Sequence, residues 1–180
     1  MASKNKYYPL GWNNSSSLPR GIRNNNPLNI RYSEKNNWFG QVGHDREKGG
    51  FCVFDSPVWG YRAAFKLLFK YQMKYGCKNV AKLIERWAPP SENNTNNYIE
   101  FVCEYMKCEP SFIPHFGSVH DLFPCCKMVE AMGVIENGGK EHIDIDHIEE
   151  AYRLVFGLPR DVEVADYLDI LPPPQNFNEA

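Results

Sequence analysis

The sequence predicts an α+β domain that is mostly helical, with one small β-hairpin near its front. Three observations carry that prediction. Two short aromatic and β-branched runs lie close together between residues 36 and 55, apolar residues then recur at helical spacing, and prolines and glycines punctuate the helical stretches. A chain of 180 residues with 43% hydrophobic and 14% aromatic residues buries a real core, and its length fits one domain with arms.

Residues 1–18 contain Asn13, Asn14, Ser15, Ser16 and Ser17 without apolar periodicity, and read as a flexible arm. Order is expected from Pro19, because PRGIRNNNPLNIRY spaces Ile22, Leu28 and Ile30 between its amides as an ordered loop does. WFGQV and FCVF, separated by a charged, glycine-rich segment, have the pattern of a hairpin. The period changes at Ser56. This serine suits a helix cap and Pro57 the first helical position, and the helix carries Trp59, Ala63, Leu67 and Tyr71 along one face until Gly76. NVAKLIERWA makes a second helix that stops at Pro89 and Pro90. A third, capped by Thr95, runs TNNYIEFVCEYMK with Tyr98, Val102 and Tyr105 or Met106 inward. A fourth starts near Pro124 and ends at paired glycines in PCCKMVEAMGVIENGG, and a fifth spans about 144–156 from an Asp144 or Asp146 cap to Gly157. Residues 158–180 form an acidic tail containing PPP at 172–174.

Formal net charge is only -2, but it is unevenly placed. Residues 1–33 contain Lys4, Lys6, Arg20, Arg23 and Arg31 and no acid; residues 160–180 contain Asp161, Glu163, Asp166, Asp169 and Glu179 against Arg160. Such arms suit contacts with other proteins of opposite charge, or simply solvation. Five charges spread over 33 residues do not form a patch, which argues against a nucleic-acid partner. The six cysteines lack paired zinc spacing and read as small buried hydrophobes. Among the five histidines only His142 and His147 come near a ligand spacing, so neither metal nor cofactor is expected. MASKNKYYPLGWNNSSS lacks the apolar region of a signal peptide, and no apolar run is long enough to span a bilayer. The expected location is a host cytoplasm or a virion, with any action on a cell wall following delivery or release.

NNNPLNIRY, then WFG, then FCVFDSP before a long helix, resembles a segment of the lysozyme-like glucosaminidases. RGIRNNNPLNIR together with WAPPSENNTNNYI and a later ENG is similar to small phage and prophage proteins described as structural or virion proteins. The resemblance covers about residues 19–157. It implies a lysozyme-like domain that holds a peptidoglycan glycan strand in a groove between a hairpin and a helical lobe. In the glucosaminidases a catalytic glutamate ends the helix just before this segment, whereas here the first acid is Glu34. CKMVEAMGVIENGG has the form of that helix, an apolar stripe ending in Glu136, Asn137 and Gly138. A circular permutation would bring it beside NNNPLNI, and neighbouring termini make permutation physically plausible.

Two functional readings follow. In the first, a muralytic enzyme of muramidase, glucosaminidase or lytic transglycosylase type uses Glu136 as its general acid. Partial burial beside Met132, Val134 and Ile135 would keep that acid protonated near neutral pH. A hydrolase needs a second carboxylate, for which Glu34, Asp45 and Glu47 are the candidates; a transglycosylase uses the sugar's own hydroxyl. Asn24, Asn25, Asn26, Asn29, Trp38 and Tyr98 are the candidate sugar contacts, although asparagines also stabilise turns and aromatics fill cores. Glu92 reads as a charge welcomed ahead of a helix N-terminus. In the second reading the protein is a catalytically inactive virion structural or adaptor protein, its arms contacting other virion proteins.

Overall fold

The computed structural model describes residues 17–45 and 50–158. The proposed arm up to residue 16, the tail from 159 and Glu47 lie outside the described residues. The elements in order are α1 (Arg20–Arg23), β1 (Gln41–His44), β2 (Cys52–Phe54), α2 (Pro57–Tyr75), α3 (Val80–Trp87), α4 (Thr95–Met106), α5 (Leu122–Asn137) and α6 (Ile145–Phe156). The architecture is therefore α+β and mostly helical, with one two-stranded antiparallel sheet.

In that sheet Gln41 pairs with Phe54 and His44 with Cys52, with a bulge between Gln41 and Gly43. The first strand starts later than the WFGQV pattern implies, because Gln41 N–H bonds back to Trp38 at 3.2 Å and Gly40 takes a φ of 73°. Residues 38–41 form a turn. The other edge of β2 is occupied by the loop after α1: Cys52 N–H donates to the Ile30 carbonyl and Phe54 N–H to that of Asn24, each at 2.9 Å. An isolated bridge between Arg31 and Phe51 continues the pairing. The asparagine-rich loop thus acts as an irregular third strand.

Ser56 caps α2, accepting from Val58 N–H at 3.3 Å, and Gly76 ends it in the left-handed region. The large buried side chains of this helix are Tyr61, Phe65 and Leu68; of the face expected inward Ala63 is buried, whereas Trp59, Leu67 and Tyr71 are half-buried. The reason is that α2 packs most extensively on α6, where Tyr152 meets Phe65 edge to face at 5.2 Å. The cap of α4 is Asn94 and not Thr95. Asn94 Oδ1 accepts from Asn97 N–H, and Thr95 turns inward to donate to the Ala88 carbonyl at 2.6 Å, tying α4 to the end of α3. The fourth predicted helix begins earlier, at Leu122. Pro124 falls in its first turn, where a missing N–H costs nothing. Asp144 is the cap of α6, accepting from Asp146 N–H at 3.0 Å.

The centre of the molecule is α5. Cys125, Cys126, Met128, Val129, Ala131 and Met132 are all buried, so the helix is apolar around most of its circumference, as an element covered on several sides must be. It packs against α4 and α6, and its last turn meets α1. All six cysteines are free, four of them buried. No helix among the described residues is long and apolar enough to cross a membrane.

Candidate active site

The loop PRGIRNNNPLNIRY is held by its own amides. Asn24, 2% exposed, donates to Asp45 Oδ2 at 2.6 Å. Asn25 adopts a left-handed φ of 50° and donates to the carbonyls of Phe54 and Asp55. Asn26, fully buried, donates to the carbonyls of Ile30 and Cys52 at 3.0 Å and accepts from Ile30 N–H at 2.9 Å. The side chains of Asn24 and Asn26 are therefore engaged inside the protein and withdrawn from any ligand at the surface. They shape the loop and fasten it to the hairpin.

The same loop receives the end of α5. Asn137 donates to the Pro27 carbonyl at 2.7 Å and to the Gly133 carbonyl at 2.8 Å, and Gly138 caps the helix at φ 71°. Gly21 permits this approach: a Cβ there would lie 2.6 Å from Asn137 Oδ1 and 2.9 Å from the Asn26 carbonyl. The loop also lies on α2 at Gly60, where a Cβ would meet the Asn25 carbonyl. RGIRNNNPLNI and ENG, more than a hundred residues apart, are two halves of one junction.

Glu136 stands in that junction. Asn29, left-handed at φ 49°, donates from Nδ2 to Glu136 Oε2 at 3.0 Å. Tyr98 donates from its hydroxyl to Oε1 at 3.1 Å. The indole of Trp87, the last residue of α3, approaches the same carboxyl and favours its ionised form. Burial raises the carboxyl above its ordinary value, and the bonds from Asn29 and Tyr98 together with the Trp87 indole, each of which favours the ionised form, only partly offset that rise. Tyr98, 6% exposed, has its own hydroxyl pushed upward by burial, then by the charge of Glu136 and by the bond to it. The arrangement is one half-buried carboxyl with a raised proton affinity, facing donors from three separate elements.

The remaining candidates lie differently. Glu34 is exposed and Glu47 is outside the described residues. Asp45, 5% exposed, is clasped by Arg20 through two bonds of 2.7 Å and by Asn24 and Phe51 N–H. Burial pushes its carboxyl up, but the bonds from Arg20, Phe51 and Asn24 outweigh that and hold it below the usual range. It is a structural clasp, ionised and occupied, and no free base. Trp38 is half-buried against the core with its indole N–H buried and unpaired. The other buried acid of α5, Glu130, is bonded to Lys127 at 2.7 Å and Lys140 at 3.3 Å. Among the described residues, no group of three or more His, Cys, Asp or Glu is arranged to hold a metal ion.

Two features escape sequence reasoning. Trp87 reads as one more residue of an amphipathic helix, and only the packing of α3 brings its indole to Glu136. Glu92 reads as a charge ahead of α4, yet it is paired with Arg31 at 3.1 Å across 61 positions of sequence.

No protein-family model matches the chain. Over 140 residues it is 36% identical to Protein P5 of Pseudoalteromonas phage PM2, an alignment that spans 76% of this chain and 82% of that protein.

Proposed function

The chain belongs to the family of the phage protein P5, and from that premise and the surroundings of Glu136 we propose a virion-associated muralytic protein that cleaves the glycosidic bonds of peptidoglycan. The observation that carries the reading is a half-buried glutamate with raised proton affinity, cradled by Asn29, Tyr98 and Trp87. Cleavage requires a proton on the leaving oxygen, and a carboxyl that stays protonated toward neutral pH supplies it. A hydroxyl both donates and accepts, so Tyr98 stays bonded to Glu136 in either protonation state. Asn29 and Trp87 can donate to the carboxylate left behind once the proton has gone. The proposal places the glycan in a lysozyme-like groove, with chain order permuted so that the acid-bearing helix follows the asparagine loop. Asn29 and Tyr98 are its inner contacts, with Asn25 and Trp38 at its margin. With Asp45 engaged by Arg20, a hydrolytic route would draw its second carboxylate from Glu34 or Glu47; a transglycosylase needs none.

The test is release of reducing ends or anhydro-sugars from purified peptidoglycan of several chemotypes. Wild type should release them, and Glu136→Gln should lower the rate by at least about a hundredfold, the usual contribution of general acid catalysis. No release by folded wild-type protein from any wall overturns the enzyme reading.

A second reading has an observation of its own. Three elements converge on the Glu136 carboxyl, as they would on a structural tie in an inactive virion structural or adaptor protein. There the basic and acidic arms would bind other virion proteins, and Glu136→Gln would lower the melting temperature without any wall-cleaving activity to lose.

A further inference from the structure

Arg31 and Glu92 join the same two segments that Glu136 joins. Asn29 reaches Glu136, and two residues later Arg31 reaches Glu92 at 3.1 Å. On the opposite side, Glu92 lies in sequence between Trp87, whose indole faces the Glu136 carboxyl, and Tyr98, which is bonded to it. Both backbones are held: Arg31 by its bridge to Phe51, and Glu92 by a turn in which its N–H and that of Asn93 return to the Pro89 carbonyl. The two charged ends are largely exposed, with side chains 62% and 58% exposed, and the Arg31 guanidinium also lies over the Phe51 ring, 5.5 Å from its centroid. An exposed pair of this kind is worth little to stability, so an incoming ion can exchange with either partner. Elsewhere on this loop, Arg20 is committed to Asp45.

We propose that Arg31 is a binding subsite for a carboxylate carried by the substrate, with Glu92 as the internal stand-in for that carboxylate. This rests on the reading that the chain acts on peptidoglycan, and it refines the substrate class to glycan bearing peptide stems with free carboxylates. The planar guanidinium suits a carboxylate held by two parallel hydrogen bonds. A neutral glycan leaves the Arg31–Glu92 pair intact and gains nothing from it. A stem carboxylate displaces Glu92 and takes its place.

The experiment measures binding by calorimetry at low salt in the full-length Glu136→Gln background, so that ligand is not consumed. The probes are a peptidoglycan disaccharide with its peptide stem, the same molecule with its carboxylates amidated, and a neutral chitin tetrasaccharide. The carboxylated probe should bind more tightly than the other two. Adding Arg31→Ala should weaken it about tenfold or more, the loss expected for a charged hydrogen bond, and leave the neutral probes unchanged. Arg31→Lys should restore part of the loss. Glu92→Gln, which removes the competitor, should strengthen binding of the carboxylated probe alone. Equal weakening of all three probes by Arg31→Ala, or weakening by Glu92→Gln, overturns the subsite and makes the pair a structural tie. Binding without discrimination between probes overturns the subsite alone, whereas no binding of any glycan overturns the peptidoglycan reading together with it.

Discussion

Glu136 is poised by a contest between burial, which disfavours its charge, and three donors, which favour it; burial wins and the proton affinity rises. The sign has consequences for activity and for stability. A general acid works only while protonated, so activity in the proposed reaction should fall as pH rises through the raised value. Tyr98→Phe removes one donor to the ionised form, so the alkaline limb of the rate profile should move to higher pH, which a pH series of initial rates would read. An unmoved limb would mean that this bond does not tune the acid. Because the folded-state value lies above the unfolded one, the stabilisation linked to Glu136 is fully present below the ordinary carboxylate range and is lost as pH rises through the raised value. Glu136→Gln is neutral throughout. Its melting temperature should therefore match or exceed that of wild type at pH 7, with the advantage shrinking in acid; a marked loss at pH 7 would favour the structural-tie reading.

At the scale of elements, the junction of α5 with the asparagine loop depends on small residues and on one amide. Asn137→Ala removes the donor to the Pro27 and Gly133 carbonyls and should cost about 1–3 kcal/mol, read by denaturant titration. Gly60→Ala places a Cβ against the backbone of Asn25 and Asn26 and the ring of Pro27 and forces the loop off α2. We expect a loss of about 1–3 kcal/mol, the usual range for overpacking, and a loss of the proposed wall-cleaving activity as well, because Asn29 moves with the loop. A Gly60→Ala protein as stable and as active as wild type would show that the loop has room to spare.

Across the whole molecule, two buried acids anchor regions on either side of the site: Asp45 joins α1 to the hairpin, and Glu130 joins α5 to Lys140 beyond its C-terminus. At both, burial raises the carboxyl and the partners lower it by more. Their contribution is present above the ordinary carboxylate range and is lost as pH falls through the lowered values. Asp45→Asn removes the charge that Arg20 clasps through two hydrogen bonds and should destabilise by about 3–5 kcal/mol at neutral pH, the scale for breaking one side of a buried pair. The deficit should narrow in acid, where wild type loses the same bond. Melting curves at pH 7 and pH 3 would measure both numbers, and a deficit independent of pH would point to lost packing instead.

Local chemistry made the helices legible: Ser56 and Gly76 bracket α2, Gly138 and Gly157 end α5 and α6, and the hairpin follows from two aromatic or β-branched runs separated by a charged, glycine-rich segment. Caps, breakers and periods act within a few residues, so the sequence alone determines them. The one-turn helix α1 was not legible, since a single turn has no period to read. The inward face of α2 was not legible either, because the partner helix α6 selects it from several apolar stripes. The motifs RGIRNNNPLNI and ENG marked the two sides of the junction between the loop and α5, but not the division of labour among their asparagines. Asn24, Asn25 and Asn26 bond within the loop and to the hairpin, and Asn29 alone turns to Glu136. Trp87 beside the acid and Arg31 paired with Glu92 were decided by tertiary structure only. Each joins segments far apart in the chain, and an amide or a charge carries no local sign of which distant group will be packed against it.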